Sequence, residues 1–506
     1  MFTSIFSSIS VPVEHRPSLS EAALVLAGAI AVAGFILVPE AGLLVVIACL
    51  ALGSLRAVGN VFRGRFDGIL LCWAGAFPFG YSLLSFPREG SIVTLDRVVI
   101  LVVFMGLFLV KPPSTPTATP SVLRRAGLVW LAFIAVAGVT LGKSRDILRP
   151  AHILFDGFLL PLLLGWCVIA RFDVRRRLTT VHTIVCISSM LCAGIAAAEV
   201  VTGQDLLATE SSTIFFAGGI ARPNGPFETN DALATVGAVS LFFLLFLRAV
   251  LGPTLSAGRR MLHSIGLAAA IGMALMPLFR SVAIALLLAL IIDTVWEQRT
   301  SGRAWRIVLI LAAVGLIFIA PLFAPDMFED RSSTANVYGR VAQLDQSLRV
   351  FVDHPLLGVG FDNVHNFVVG EPRYRGSYEG VSSLDWPHNN LAQVLTETGI
   401  FGFVPYVMAH VLLLWAMWQL HRSSSSGYLV WKYYIYLFLS YWITGLAESS
   451  GFSPLNLWYM FATAVYCKYA LTDPHLMQPA EVQAPDETFS APGEFSRLRL
   501  SDELAI

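Results

Sequence analysis

The chain has 506 residues, of which 56% are hydrophobic and only 13% are charged. A soluble domain carries about 25% charged residues, so this composition excludes a soluble globular protein and indicates an integral membrane protein. The formal net charge is zero, and nothing in it favours a nucleic-acid-binding protein.

Apolar stretches recur along most of the chain, and about 20 apolar residues are enough to cross the hydrocarbon core of a bilayer. The candidate spans are 21–38, 41–55, 67–85, 97–110, 126–142, 151–170, 178–200, 229–250, 262–279, 281–296, 304–323, 391–419, 428–446 and 453–470. We therefore predict an all-α polytopic membrane protein with about 12–14 transmembrane helices.

This pattern predicts four regions. A membrane bundle of about 11 helices occupies 1–323, and a long, partly helical polar loop follows at 324–390. The chain returns to the membrane at 391–471 and ends in a polar tail at 472–506, which we expect to be disordered and cytoplasmic.

Short arginine-containing loops give the orientation, because basic loops mark the cytoplasmic side. Such loops carry Arg63 and Arg65, Arg124 and Arg125, Arg175 to Arg177, and Arg259 and Arg260. With a cytoplasmic N-terminus, one orientation satisfies all of them. It predicts that the 324–390 loop lies on the outer face.

The six cysteines all fall within apolar runs. They are Cys49, Cys72, Cys167, Cys186, Cys192 and Cys467. We expect buried free thiols and no histidine partner at metal-ligand spacing, so no metal site is predicted.

The long loop begins with an amphipathic pattern. Its apolar residues recur at steps of three and four, at Val337, Val341, Leu344, Leu348 and Phe351. This spacing predicts a helix that lies along the membrane or packs on the bundle. The helix should end at His354, because the residue before Pro355 avoids helical dihedral angles, and Gly358 and Gly360 then permit a tight turn.

His388 is the best candidate for a catalytic residue. It directly precedes the predicted span 391–419, and the positive end of a helix dipole keeps a nearby imidazole neutral. A neutral histidine beside a sugar hydroxyl can act as a general base. The alternative is a polar residue that only caps a membrane helix.

Arginines on the predicted outer face are candidates for anion binding. Arg280 separates two apolar spans, Arg222 precedes another, and Arg340 lies on the amphipathic helix. An arginine near the membrane interior is by default a functional candidate. The alternatives are an Arg280 that extends to lipid headgroups and an Arg340 that is a solvated charge.

Two motifs resemble the O-antigen ligase and O-antigen polymerase family. His388-Asn389 is followed, after nine residues, by Gly399-Ile400-Phe401-Gly402, and His354-Pro355-Leu356-Leu357-Gly358-Val359-Gly360 stands upstream. The order of many helices, one large loop and a few more helices is also similar to that family. Phe279 and Thr229-Asn230 depart from the family's usual residues next to the arginines.

The resemblance implies a GT-C-like fold in a bacterial inner membrane, with the active face in the periplasm. It implies that a glycan is transferred from an undecaprenyl-diphosphate carrier to another lipid-linked glycan or to lipid A core, without metal or other cofactor. Its paired phosphate-binding arginines would correspond to Arg280 and Arg222, with a further arginine at Arg340.

The sequence thus predicts an inverting glycosyltransferase with His388 as the general base and Arg280, Arg222 and Arg340 binding the diphosphate. His354, Gly358, Gly360, Asn389, Gly399 and Gly402 are expected to shape the loop. The tyrosines and Trp386 of the loop slightly favour a polymerase over a ligase. A transporter of polysaccharide or lipid is the alternative from another class, but it would place its ionisable groups near the midplane. A purely structural subunit would leave the motif from His388 to Gly402 unexplained.

Overall fold

A computed structural model describes residues 59–61, 63–80, 84–86, 92–110, 120–144, 146–207, 215–217, 220–296, 307–308, 310, 334–383, 388–423, 427–446 and 452–472. The predicted spans at 21–38 and 41–55, nearly all of the span at 304–323, Trp386 and the predicted tail lie outside these residues.

The first part of the described chain is helical. It comprises α1 (Asp67–Ala76, continued by a 3-10 turn at Phe77–Phe79), α2 (Leu95–Leu109), α3 (Ser121–Thr140, continued at Leu141–Lys143), α4 (Leu148–Leu154), a π-helical segment (Phe155–Leu159), α5 (Leu160–Arg171), α6 (Val174–Thr202), α7 (Asn230–Leu251), α8 (Ala257–Leu275) and α9 (Arg280–Trp296).

The second part contains the loop and the last helices. They are α10 (Thr334–Asp353), α11 (Val364–Gly370), α12 (Asn390–Ser423), α13 (Gly427–Gly445) and α14 (Phe452–Leu471). Three antiparallel strand pairs are the sheets within the described residues: β1 (Ser85–Phe86) with β2 (Val93–Thr94), β3 (Phe215–Ala217) with β4 (Ile220–Arg222), and β5 (Ser377–Tyr378) with β6 (Val381–Ser382).

Among the described residues, five helical segments are long and apolar enough to cross a membrane: Ser121–Lys143, Leu148–Arg171, Val174–Thr202, Asn230–Leu251 and Asn390–Ser423. The described helices follow the apolar stretches of the sequence, and the prediction of an all-α polytopic membrane protein is confirmed.

Helix α7 lies at the centre of the described bundle and is buried along most of its length. It packs against α6, α8, α13 and α14. At Gly237, a Cβ atom would lie 2.6 Å from the backbone nitrogen of Ala274. Small residues let membrane helices approach closely where lipid offers no hydrophobic driving force, so Gly237 sets the distance between α7 and α8.

Two buried ion pairs join helices inside the bundle. Arg97 on α2 binds Asp156 of the π-helical segment through both side-chain oxygens, with Nε 2.7 Å from Oδ1. Lys432 on α13 pairs with Asp293 on α9, which also accepts a 2.7 Å hydrogen bond from the Tyr436 hydroxyl. Each charge has its partner, as burial requires.

The loop helix α10 buries the face opposite to its apolar stripe. The stripe residues Val337, Val341, Leu344 and Leu348 are 40 to 60% exposed, whereas Gln343, Gln346 and Ser347 are at most 4% exposed. The side-chain oxygen of Gln346 accepts hydrogen bonds from the Gly376 amide and the Ser383 hydroxyl. The exposed stripe is consistent with a helix that lies along the membrane, the first of the two predicted arrangements.

Helix α12 is broken at Gly399, where φ is 62° and ψ is −166°. A break at this point frees backbone amides from the helix, and a free amide is costly within a membrane protein. The loop satisfies them. Ile400 N–H donates to the Pro355 carbonyl at 2.8 Å, and Phe401 N–H donates to the Leu356 carbonyl at 3.2 Å.

The loop also donates in the opposite direction. Val359 N–H bonds the Thr396 carbonyl at 3.0 Å, and Gly360 N–H bonds the Glu397 carbonyl at 2.9 Å. Gly358 allows this approach, because a Cβ there would overlap the backbone of Thr396 and Glu397. We call these four hydrogen bonds the clasp. They join the two glycine motifs of the sequence.

The clasp generates a prediction about Gly399. A Cβ at this position would lie 2.6 Å from the Leu357 nitrogen and overlap the Leu356 carbonyl, and a positive φ is itself strained for alanine. We expect Gly399→Ala to destabilise the protein by about 2 kcal/mol or more, measured as a lower midpoint of thermal unfolding in detergent.

The matched control is Gly194→Ala within α6, because a Cβ at Gly194 meets no atom within 4 Å among the described residues. Alanine is also the better helix former there. Equal unfolding midpoints for the two variants would show that the clasp does not constrain α12.

Candidate active site

His388 lies directly before the N-terminus of α12. Asn389 caps this helix: its side-chain oxygen accepts hydrogen bonds from the amides of Leu391 and Ala392, both at 3.0 Å. His388 therefore lies next to the N-cap of a helix whose first amides are capped.

Burial lowers the pKa of His388, and the positive charge of Arg340 lowers it further. The negative charge of Asp231 acts in the opposite direction and favours the imidazolium form. Loss of hydration dominates this balance. His388 is consequently neutral at ordinary pH, as a proton acceptor must be.

Asp231 is a charged residue that acts on His388 and that the sequence reasoning missed. It lies in the first turn of α7, where it is 9% exposed. A carboxylate at the start of an apolar span was a usable signal, because such a group is rare at that depth. Its partnership with His388 could not be seen, since 157 positions separate the two residues (388 − 231).

Arg222 lies at the end of β4 and contacts the turn before α9. Its Nε donates to the Pro277 carbonyl at 2.9 Å, and its guanidinium carbon lies 6.0 Å from the centre of the Phe279 ring. A terminal nitrogen also approaches the side-chain oxygen of Asn230 at 3.4 Å. Arg222 thus connects the turn to the first residues of α7, next to Asp231.

Arg280 is the exposed first residue of α9 and follows the turn that Arg222 holds. Leu278 in this turn has φ of 57°, an unusual value for a residue with a side chain. The structure therefore brings Arg222 and the segment carrying Arg280 together. It also brings Arg340, exposed on α10, close enough to His388 to act on its charge.

His354 ends α10. Its ring packs edge-on against Phe367 with centroids 5.3 Å apart, and its carbonyl accepts the Gly358 amide at 3.1 Å. These contacts form the turn that enters the clasp, and they give His354 a positioning role for the loop.

The turn after Gly358 is held by residues that follow α3. Lys143 donates from Nζ to the Gly358 carbonyl at 2.8 Å, and Ser144 donates from Oγ to the Phe361 carbonyl at 3.1 Å. Gly360, with φ of 110°, faces the Thr140 carbonyl, where a Cβ would lie 3.2 Å away. Lys143 thus has a backbone partner within the protein.

Glu397 is a second positioning residue in α12. It is 1% exposed, accepts the Asp362 amide at 2.9 Å and is hydrogen-bonded by Gln393 at 3.0 Å. Burial raises the pKa of Asp362 to about 6, although Arg149 lies 3.6 Å away and opposes the shift. The side chain of Glu397 supports the backbone next to the clasp.

Gly402 is buried in α12, where a Cβ would overlap the Thr398 side chain. Thr398 in turn donates from Oγ1 to the Val394 carbonyl at 2.6 Å. The second glycine of the motif therefore accommodates the Thr398 side chain, which bonds one turn back on the N-terminal side of the break.

One sequence expectation is wrong. Cys186 does have a histidine at metal-ligand spacing, since His182 lies one helical turn before it, and His263 of α8 joins them. Their ligand atoms lie within 4.8 Å of one another. The described residues include no such group at His388 or His354.

Residues 265–407 match the model of a protein family described as O-antigen ligase. The matched region contains both glycine motifs, His388, Arg280 and Arg340, but not Arg222 or Asp231. No curated protein matches the chain significantly.

The match agrees with the motifs from His354 to Gly360 and from His388 to Gly402. Residues 265–407 therefore form a domain that matches the O-antigen ligase family, and this match supports the resemblance to O-antigen ligases and polymerases.

Proposed function

We propose that the protein transfers an oligosaccharide from an undecaprenyl-diphosphate carrier to an acceptor hydroxyl at the periplasmic face of a bacterial inner membrane. The observation that carries this proposal is the clasp, because it joins the family's two glycine motifs at the helix that His388 precedes. An intact glycan and its lipid carrier are the substrates, and the membrane is the working environment.

His388 acts as the general base. Its neutral imidazole takes the proton of the acceptor hydroxyl while the acceptor oxygen bonds to the anomeric carbon. The bond from that carbon to the phosphate oxygen breaks, and the lipid diphosphate leaves with the electron pair. Attack from the side opposite the leaving group inverts the anomeric configuration. The nearby carboxylate of Asp231 stabilises the imidazolium that forms.

Arg280, Arg222 and Arg340 neutralise the diphosphate. Negative charge grows on the leaving phosphate oxygen, and cations aimed at that oxygen lower the barrier. Arginine suits this role because its planar donors bind phosphate in pairs, each charged hydrogen bond contributing about 1.5–3 kcal/mol. In this mechanism the arginines do what Mg²⁺ does in other diphosphate chemistry, and no cofactor takes part.

Polymerisation is the form of transfer we favour, with ligation to lipid A core as the alternative. Exposed loop side chains support a groove for a second glycan: Tyr378 is 43% exposed and packs edge-on against Tyr338, with centroids 5.3 Å apart, and Arg375 is exposed. Tyr374 does not contribute to such a groove, because it is buried and donates its hydroxyl to Asp353 at 2.7 Å.

The central prediction concerns His388→Ala. In proteoliposomes, this variant should bind the lipid-linked donor like the wild type but lose transfer by about 10²–10⁴-fold, because only the proton acceptor is removed. His421→Ala, at the other end of α12, is the matched control and should retain activity. Normal turnover by His388→Ala would exclude it as the base.

The same assay distinguishes the two acceptors. Lipid-linked repeats alone should give products of increasing length. Product that forms only with lipid A core, as a single transfer, would establish a ligase instead.

The pH dependence of transfer tests the surroundings of His388. Because the pKa of His388 is lowered, activity should rise with pH below the usual histidine range and then stay level. Arg340→Gln removes a cation that disfavours imidazolium, so the rise should shift to higher pH. Asp231→Asn removes an anion, so it should shift to lower pH.

Arg349→Gln is the control for Arg340 on the same helix, since Arg349 is already paired with Asp345 at 2.7 Å. Its pH profile should match the wild type. Identical profiles for all four proteins would refute His388 as the titrating group.

Arg280→Lys tests the diphosphate contact. Lysine keeps the charge but loses the planar fork, so transfer should fall by about 10²–10³-fold. Arg260→Lys, on an exposed arginine at the start of α8, should leave transfer unchanged. Full activity in Arg280→Lys, or a strict requirement for added Mg²⁺ or Mn²⁺, would contradict this assignment.

A further inference from the structure

A cluster of three ligand-type side chains lies between α6 and α8, away from the residues proposed for transfer. His182 and Cys186 are one turn apart on α6, and His263 faces them from α8. All three are buried: His182 and Cys186 are 0% exposed and His263 is 5% exposed. Buried polar groups normally have a bonding partner, so three of them together in an apolar bundle need an explanation.

The ligand atoms point at one another. His182 Nε2 lies 3.2 Å from His263 Nδ1, and Cys186 Sγ lies 3.7 Å from His182 Nε2. Metal bonds of about 2.0–2.1 Å to nitrogen and 2.3 Å to sulfur, at tetrahedral angles, place two nitrogens about 3.3 Å apart and nitrogen and sulfur about 3.6 Å apart. The two observed spacings therefore match a tetrahedral site, and all three ligand atoms lie within 4.8 Å of one another.

We propose that His182, Cys186 and His263 bind a thiophilic d¹⁰ cation, Zn²⁺ or Cu⁺. Two imidazoles and one thiolate form a donor set that both ions accept, and the hard ions Mg²⁺ and Ca²⁺ do not. Binding removes the thiol proton, which leaves to solvent, and uses the lone pairs of His182 Nε2 and His263 Nδ1. The remaining imidazole hydrogens then reside on the outer nitrogens of the two rings.

A simple hydrogen bond between the two histidines satisfies the cluster less well. It pairs only one nitrogen of each ring. It also leaves the approach of Cys186 without a function. Gly266 creates that approach, because a Cβ there would lie 2.9 Å from Cys186 Sγ.

The charges around the cluster bear on which ion binds. Arg248 and Arg259 both act on His182 electrostatically. One thiolate with Cu⁺ gives a neutral site, whereas one thiolate with Zn²⁺ leaves a net positive charge near these arginines. The spacing matches tetrahedral Zn²⁺, and the charge balance favours Cu⁺.

The ion would fasten α6 to α8 at one end of the pair. At their other ends, Glu199 of α6 accepts the amides of Asn224 and Gly225, and Pro277 after α8 accepts Arg222. Both helices are thus hydrogen-bonded, at or next to their ends, to the segment from Arg222 to Gly225. The metal site stands independently of the proposed function, but any effect on transfer rests on that function.

The test uses the purified full-length protein in detergent. One sample is incubated with Zn²⁺ and another with Cu⁺ under reducing conditions, and bound metal is measured by elemental analysis after desalting. We expect about one equivalent of one of the two ions and a raised unfolding midpoint. Cys186→Ser and His263→Gln should lose the bound ion, while Cys192→Ser, at another buried cysteine of α6, should keep it.

A second measurement needs no variant. Co²⁺ bound to the wild-type protein should show a thiolate-to-metal charge-transfer band and the intense visible bands of a tetrahedral site, so the proposal can be judged even if a variant fails to fold. Absence of bound Zn²⁺, Cu⁺ and cobalt bands in the wild type would overturn it. So would equal metal content in Cys186→Ser and Cys192→Ser.

Discussion

Four backbone hydrogen bonds across the break in α12 are the interaction on which the rest of the candidate site depends. A membrane helix that breaks must find partners for its freed amides and carbonyls, because lipid provides none. Here the loop from Pro355 to Gly360 provides them, and two glycines with positive φ allow the backbones to meet. The loop is consequently seated on the membrane bundle by main-chain contacts that only glycine permits at Gly358 and Gly399.

The residues that hold the loop in place are therefore different from the residue proposed as the general base. The loop backbone is held in place by hydrogen bonds to His354, Glu397 and Lys143. His388 stands at the end of the same helix, neutral through burial and the neighbouring Arg340. A general base needs both a fixed position relative to the hydroxyl and a pKa that leaves it unprotonated.

The bundle beneath the loop supports the other half of the proposed site. Arg222 spans from the turn before α9 to the first turn of α7, where Asn230 and Asp231 lie side by side. Helices α6 and α8 hold this segment through Glu199 and Pro277, and the cluster of His182, Cys186 and His263 lies between the same two helices. A metal ion there would stabilise the frame of the arginine without taking part in the transfer.

Much of the secondary structure could be predicted from local properties of the sequence. Apolar runs of membrane length determined which segments are helices, because hydropathy and length are properties of a contiguous stretch. The motifs around His354 and His388 likewise indicated the family whose model matches residues 265–407, and the cap at Asn389 lies where the sequence starts a helix. The amphipathic spacing from Val337 to Phe351 correctly indicated a helix in the loop.

Only the tertiary structure decided which residues meet. The loop helix buries Gln343 and Gln346 and exposes its apolar stripe, a choice that depends on what packs against it. The charge of Asp231 acts on His388, and His263 meets His182 and Cys186, across separations in the chain that no local pattern records. Burial, charge balance and ligand geometry all arise from such distant pairings, so the sequence by itself predicted His388 as the proton acceptor but not the groups that set its charge.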